Sequence, residues 1–128
     1  ASAYRSYSTQ ASIYSRYVAN QGQAAADTHS ARPGHSEHQT GLAVDLDDGT
    51  GCVLRTCFAN TPGGIWLRDN AYRFGFVLRY PQGLEHIHGY MFEPWHYRYV
   101  GVDVATAMHG AGTPTLEQHF GLPAAPGY

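Results

Sequence analysis

The chain has 128 residues, 43% of them hydrophobic and 14% charged, with a formal net charge of -2. That length suits one domain with its own core, and the composition excludes a disordered chain. The charge balance gives no basis for binding nucleic acid or an anionic membrane, and no apolar run reaches the roughly 18–20 residues that span a bilayer.

Taken in order, the chain opens abruptly on Ala1-Ser2-Ala3-Tyr4-Arg5 and reads as a mature or trimmed domain whose targeting segment has been removed. Tyr4 to Tyr7 is a strand or the lead-in to a helix, with Ser8 as the expected N-cap. Ile13, Tyr14, Tyr17 and Val18 fall on one helical face, and Gly22 is the stop. Gln23 to Gly34 is a loop. Leu42 to Leu46 alternates as a strand: Leu42, Val44 and Leu46 are expected on the core side, Ala43, Asp45 and Asp47 on the polar side. Asp47 to Gly51 is turn chemistry. Thr61-Pro62 starts a helix that runs toward Gly75, with Ile65, Trp66 and Tyr72 as its buried stripe. Phe76 to Tyr80 is a strand. Gln82 to Phe92 is a loop or hairpin arm, and Tyr97 to Val100 another strand. Asp103 caps a short helix through Met108. Thr113-Pro114 opens a last helical turn or two through Phe120, and Pro123 to Tyr128 is a loose tail. Helices and strands are interspersed without regular crossover helices, so the pattern predicts one α+β domain over residues 1–128.

The only cysteines, Cys52 and Cys57, have four residues between them. That is not the two-residue spacing of zinc or redox motifs. A small disulfide loop is the first reading, worth about 2 kcal/mol in the loop-entropy model. It implies an oxidising, extracytoplasmic location. Two free thiols are the alternative.

Eight histidines and ten tyrosines are many for this length. The first favour metal or acid–base chemistry, the second a polar cleft or ordinary half-buried packing. His38 and Asp45 form a pair, the carboxylate on a strand and the imidazole in the loop before it. His96, in Glu93-Pro94-Trp95-His96, is the third candidate ligand. A two-imidazole, one-carboxylate set leaves a fourth position for water, as catalytic zinc sites do, and zinc lowers the pKa of that water to about 7. Glu93 is placed to accept its proton and pass it to a leaving amine. Arg5 can hold a terminal carboxylate or stabilise charge on a tetrahedral intermediate, with Gln10 and Ser36 as neutral donors. His86 and His88 would share a face on a strand and so rival His96. Isolated His29, His109 and His119 read as ordinary surface or hydrogen-bonded groups. His35 is near enough to touch the site but reads as a supporting or surface residue, Arg79 and Arg98 as ion-pair or rim residues, and Trp66 and Trp95 as core.

Five segments in order carry a resemblance. They are Tyr4-Arg5-Ser6 with Gln10; Ser36-Glu37-His38-Gln39-Thr40-Gly41-Leu42-Ala43-Val44-Asp45; Tyr72 to Phe76; Leu78-Arg79-Tyr80-Pro81; and Gly89 to Gly101 around Glu93-Pro94-Trp95-His96. Together, over about residues 3 to 101, they resemble the VanY-like zinc D-alanyl-D-alanine carboxypeptidases. The wider group also holds lysostaphin-type peptidases and the hedgehog signalling domain. The resemblance implies a small antiparallel sheet flanked by helices and one zinc ion per chain. His38, Asp45 and His96 would be the ligands, Glu93 the base and Arg5 the residue acting on substrate. Gln10, Ser36 and Tyr80 would line the pocket. It also implies peptidoglycan stem peptides ending in D-alanine as substrate, a cell-envelope or secreted location, and a monomer. Ala3 stands where a glycine is common and His88 where a small polar residue is common. The helical segment that usually precedes Tyr-Arg-Ser is missing, which makes substrate choice less readable than catalysis. L,D-carboxypeptidase, D,D-dipeptidase and endopeptidase activity remain alternatives. So does a non-catalytic zinc-containing cell-wall or signalling module, against which Glu93 and Arg5 argue because a structural site needs neither.

Overall fold

The computed structural model describes residues 1–128. Its helices are α1 (Tyr7–Gln21), α2 (Gln23–Ala26), α3 (Pro62–Asn70), α4 (Glu85–His88), α5 (Val102–Ala111) and α6 (Leu116–Phe120). Its strands are β1 (Ala43–Asp45), β2 (Phe76–Leu78) and β3 (His96–Tyr99), with 3-10 turns at Glu37–Thr40, Thr56–Asn60 and Ala71–Phe74. The sheet order is β1-β3-β2 and both pairings are antiparallel. The expected α+β class, a small antiparallel sheet flanked by helices, is what the chain forms.

Local chemistry explains most element ends. Ser6, two residues earlier than the expected Ser8, caps α1 by accepting the Thr9 amide. Thr61 caps α3 at the Gly64 amide, with Pro62 at the first helical position. Gly75 stops the turn after α3 with φ at 82°, where a side chain is strained. A final helix forms as expected, but Thr115 caps it where Thr113 was expected to open it. The tail is not loose. The Ala125 amide donates to the Ile87 carbonyl, and the Tyr128 hydroxyl accepts from the Arg32 amide and pairs with the Tyr90 hydroxyl. Gln82 to Phe92 contains α4, so His86 and His88 do not share a strand face.

The sheet buries the side that the alternation marked as polar. Ala43 and Asp45 are buried at 3% exposure each, while Leu42 is 41% exposed. Leu42, Val44 and Leu46 instead line a half-open apolar groove with Trp66, Phe74, Phe76 and Tyr99. Ile65 and Trp66 are likewise exposed, so of the expected buried stripe only Tyr72, in the turn after α3, packs on the core. The helix is pinned by its glycine: Gly64 packs so closely that a Cβ there would lie 1.9 Å from the Phe58 carbonyl oxygen. Val77, Ala105 and Met108 form a small core between β2 and α5, with Tyr72, Val100, Val104 and Leu116 packed against it.

Two glycine substitutions test this packing. Gly64→Ala is expected to destabilise the fold by about 3 kcal/mol in urea unfolding, because backbone cannot yield as a side chain can. Gly110→Ala, whose Cβ would meet open space in α5, should be neutral or stabilise by up to ~1 kcal/mol.

Candidate metal centre and cleft

Sheet register assembles the centre. Asp45 on β1 is the direct cross-strand partner of His96 on β3, which closes the fifty-one-residue gap between them. Directly paired residues put their side chains on one face of a sheet, so the carboxylate and the imidazole face the same side. His38 arrives from the 3-10 turn before β1. One potential ligand atom from each of His38, Asp45 and His96 lies within 4.8 Å of the others, and all three residues are buried.

Each ring has its far nitrogen committed elsewhere. His38 Nδ1 lies 2.7 Å from the Ala3 carbonyl oxygen, which can only accept, so Nδ1 carries the proton and Nε2 presents a lone pair. His96 Nε2 lies 3.3 Å from Glu37 Oε2, which fixes Nε2 as the donor and leaves Nδ1 free toward the centre. Asp45 Oδ1 is 3.3 Å from His38 Nε2 and 3.4 Å from His96 Nδ1. Neither approach has hydrogen-bond geometry, and Oδ1 is a buried oxygen without a partner. Two imidazole nitrogens and an orphaned carboxylate oxygen aimed at one point fit a divalent cation, with zinc suited to the mixed N/N/O set.

Around the centre lies a cleft of about 530 Å³ whose walls include Arg5, Ser36, Tyr80, Glu93 and Trp95. Arg5 donates to Gln10 Oε1 at 2.9 Å and Ser2 Oγ at 3.1 Å, and its Nη2 lies 3.4 Å from Asp45 Oδ2. These contacts use only part of its five N–H groups. Gln10 departs from the expected substrate contact. It is 1% exposed, and its amide is committed to Arg5, Ser30 and Ala31, so it buttresses Arg5 from behind. The Tyr80 hydroxyl makes no hydrogen bond within the chain, and burial pushes its pKa well up, so it stays a neutral donor.

Glu93 is the carboxyl with least company. Its Oε2 lies 3.6 Å from His96 Nδ1, and burial, opposed by His96 and reinforced by the Asp45 charge, pushes its pKa up to about 7. Glu37 is the opposite case. Burial works against its charge, yet His96 and Arg79 hold its pKa down to about 2. Glu37 was not singled out from the sequence as a site residue, although it adjoins His38 in the quoted motif. The available signal was the pair Arg79 and Arg98, both read as ion-pair or rim residues: both reach Glu37 Oε1, at 2.7 and 3.2 Å.

No other histidine joins the candidate ligand group, although His29 lines the cleft. His88 is buried but hydrogen-bonds the Pro81 carbonyl, and His86 is exposed. His35 is exposed and packs edge-on against Tyr128, while His109 stacks on Tyr72. Cys52 and Cys57 are joined as a disulfide with Cα atoms 5.7 Å apart, and Leu54 within that loop reaches the cleft wall.

Fold and centre together define an α+β domain with a buried His/Asp/His group suited to a metal ion. The family model for VanY, D-alanyl-D-alanine carboxypeptidase, matches residues 1–102, and the chain belongs to that family. It is 44% identical over 120 residues to the putative carboxypeptidase YodJ of Bacillus subtilis, covering 93% of this chain and 44% of that relative. The chain therefore spans less than half the length of that curated relative. It superposes on the LD-carboxypeptidase LdcB, a structure described in terms of peptidoglycan recognition, with a TM-score of 0.85 at 42% identity, covering 93% of this chain and 56% of that one. It also superposes on the vancomycin resistance D,D-pentapeptidase VanY of a VanB-type cassette, solved with Zn(II). There the TM-score is 0.78 at 41% identity, covering 94% of this chain and 69% of that one.

Removing a ligand tests the centre directly. Asp45→Ala and His38→Ala should each weaken zinc binding by more than ~100-fold in competition with a chromophoric chelator. Far-ultraviolet circular dichroism should show the secondary structure retained.

Proposed function

We propose that this chain is the catalytic domain of a zinc-dependent carboxypeptidase that removes a C-terminal D-alanine from peptidoglycan stem peptides. The observation that carries the reading is Glu93: a carboxyl with a pKa near 7, in the cleft and 3.6 Å from one of three convergent ligands. A group with that affinity can take a proton and return it at neutral pH. His38 Nε2, Asp45 Oδ1 and His96 Nδ1 would hold one zinc ion per chain, which would supply a Lewis acid and acidify water.

The chain's own residues then divide the work. Glu93 takes a proton from the attacking water and delivers it to the nitrogen of the departing D-alanine, while the water oxygen bonds to the carbonyl carbon and the C–N bond breaks. Arg5 offers its unused N–H groups to a substrate carboxylate or to the carbonyl oxygen as charge builds there. Ser36 and the Tyr80 hydroxyl add neutral donors along the cleft. The disulfide supports an extracytoplasmic site of action, at the bacterial cell envelope or secreted. We take the active unit to be a monomer.

A second reading, L,D-carboxypeptidase activity on tetrapeptides, is favoured by the likeness to LdcB. Both share the centre and differ in the penultimate residue of the substrate.

Mass spectrometry of muropeptide pentapeptide and tetrapeptide, incubated with and without chelator, separates the two. Loss of one D-alanine from pentapeptide alone is the expected result, and loss from tetrapeptide alone would move the assignment to the second reading. Chelator should abolish either product. Glu93→Ala should keep zinc and fold yet lose hydrolysis by at least ~100-fold; retained turnover in that variant would refute the mechanism.

A further inference from the structure

His96 is oriented from behind by Glu37, and Glu37 belongs to a chain of charges that leaves the family's matched residues. Its two carboxylate oxygens have separate duties. Oε1 accepts from Arg79 Nε at 2.7 Å and lies 3.2 Å from Arg98 Nη1, while Oε2 faces His96 Nε2 at 3.3 Å. The other edge of the Arg79 guanidinium is occupied by Glu117. Nη1 donates to Oε2 at 3.0 Å and Nη2 to Oε1 at 2.7 Å, a two-pronged pair. The side chains of Glu37, Arg79 and Glu117 are 13%, 13% and 10% exposed, so water screens this chain weakly.

A guanidinium can chelate a carboxylate with two parallel N–H groups. Left with Glu37 alone, Arg79 is free to turn and claim both of its oxygens, and Oε2 would be lost to His96. Glu117 prevents that turn by fixing the Nη1/Nη2 edge, so Arg79 meets Glu37 through Nε only. The imidazole then keeps an acceptor on Nε2 and its lone pair on Nδ1.

Glu117 sits on α6, fifteen residues beyond the family-matched segment 1–102. Its neighbour Leu116 packs on the Val77, Ala105 and Met108 core and already docks the helix. Docking alone needs no buried carboxylate, and burying one is costly unless it is paired. We infer that Glu117 is a positioning residue for the metal centre, acting on His96 through Arg79 and Glu37. The inference rests on the reading of His96 as a ligand.

The test compares zinc affinity by chelator competition, and the visible spectrum of the cobalt-substituted protein, across four proteins. Glu117→Gln keeps the shape and removes the charge; Arg79→Lys keeps the charge and removes the fork. Thr115→Ala weakens the cap of the same helix without touching the ion chain. Glu117→Gln and Arg79→Lys should each bind zinc about tenfold more weakly with an altered cobalt spectrum. Thr115→Ala should lower the unfolding midpoint of the metal-free protein while its zinc affinity changes by less than about twofold. Unchanged affinity and spectrum in Glu117→Gln would overturn the inference, as would an equal loss in Thr115→Ala. If Glu117→Gln does not fold, unchanged binding in Arg79→Lys overturns it instead. Wild-type protein that binds no zinc would sink the metal reading itself, a result distinct from wild-type binding with an insensitive Glu117→Gln.

Discussion

The pairing of Asp45 with His96 across β1 and β3 is the constraint on which the rest depends. A strand has period two, so a slip of one residue would send Asp45 to the opposite face and dissolve the centre. Three-residue strands specify register poorly by themselves, and the structure adds holds beyond them. The Leu46 amide donates to the Trp95 carbonyl, the Tyr99 amide to the Leu42 carbonyl, and Ser2 bridges to Asp45 from the outer side. Trp95 is therefore both buried wall and register lock.

Around that pairing, three carboxyl groups are held in different conditions by what each is given. Asp45 faces two imidazoles, which hold its pKa down despite burial, and has the Arg5 guanidinium beside it. Glu37 receives two guanidinium groups and a ring N–H. Glu93 receives burial and little else, and it alone is pushed toward neutrality. The proposed roles of these like groups, holding a cation, orienting a ring and moving a proton, depend on surroundings that separate their affinities for hydrogen.

Much of this was legible in the sequence, and the failures share a cause. The candidate ligands, Glu93 and Arg5 stood out because imidazole, carboxylate and guanidinium sit there in short motifs, but spacing alone did not join His96 to His38 and Asp45; the family resemblance did. The fold class followed from the interspersed elements. The faces of β1 were misread because alternation shows that two faces differ, not which one is covered. Here the polar parity is the more deeply buried, and Leu42, Val44 and Leu46 line an open groove. Trp66 misled in the same way, since its apolar character says nothing about what lies over it. Gln10 was placed in the cleft because amide chemistry suits substrate; only the fold shows that amide committed to Arg5, Ser30 and Ala31. Glu117 carried no local signal at all. Its partner Arg79 lies thirty-eight residues upstream, and spacing cannot report a contact made by packing.

The carbonyl of Ala3 has a cost that its modest role conceals. It holds the His38 ring, while Ser2 bridges β1 and Arg5 leans on Asp45. Ala1 to Arg5 forms no helix and no more than a single bridge, yet three supports of the centre come from it. Substitutions that disturbed this stretch would leave His38, Asp45, His96 and Glu93 all present in the chain. The centre would nonetheless lose the grip on one ring, the guanidinium beside its carboxylate and the outer bond of its strand. The centre thus leans on a short peptide that contains none of its candidate ligands.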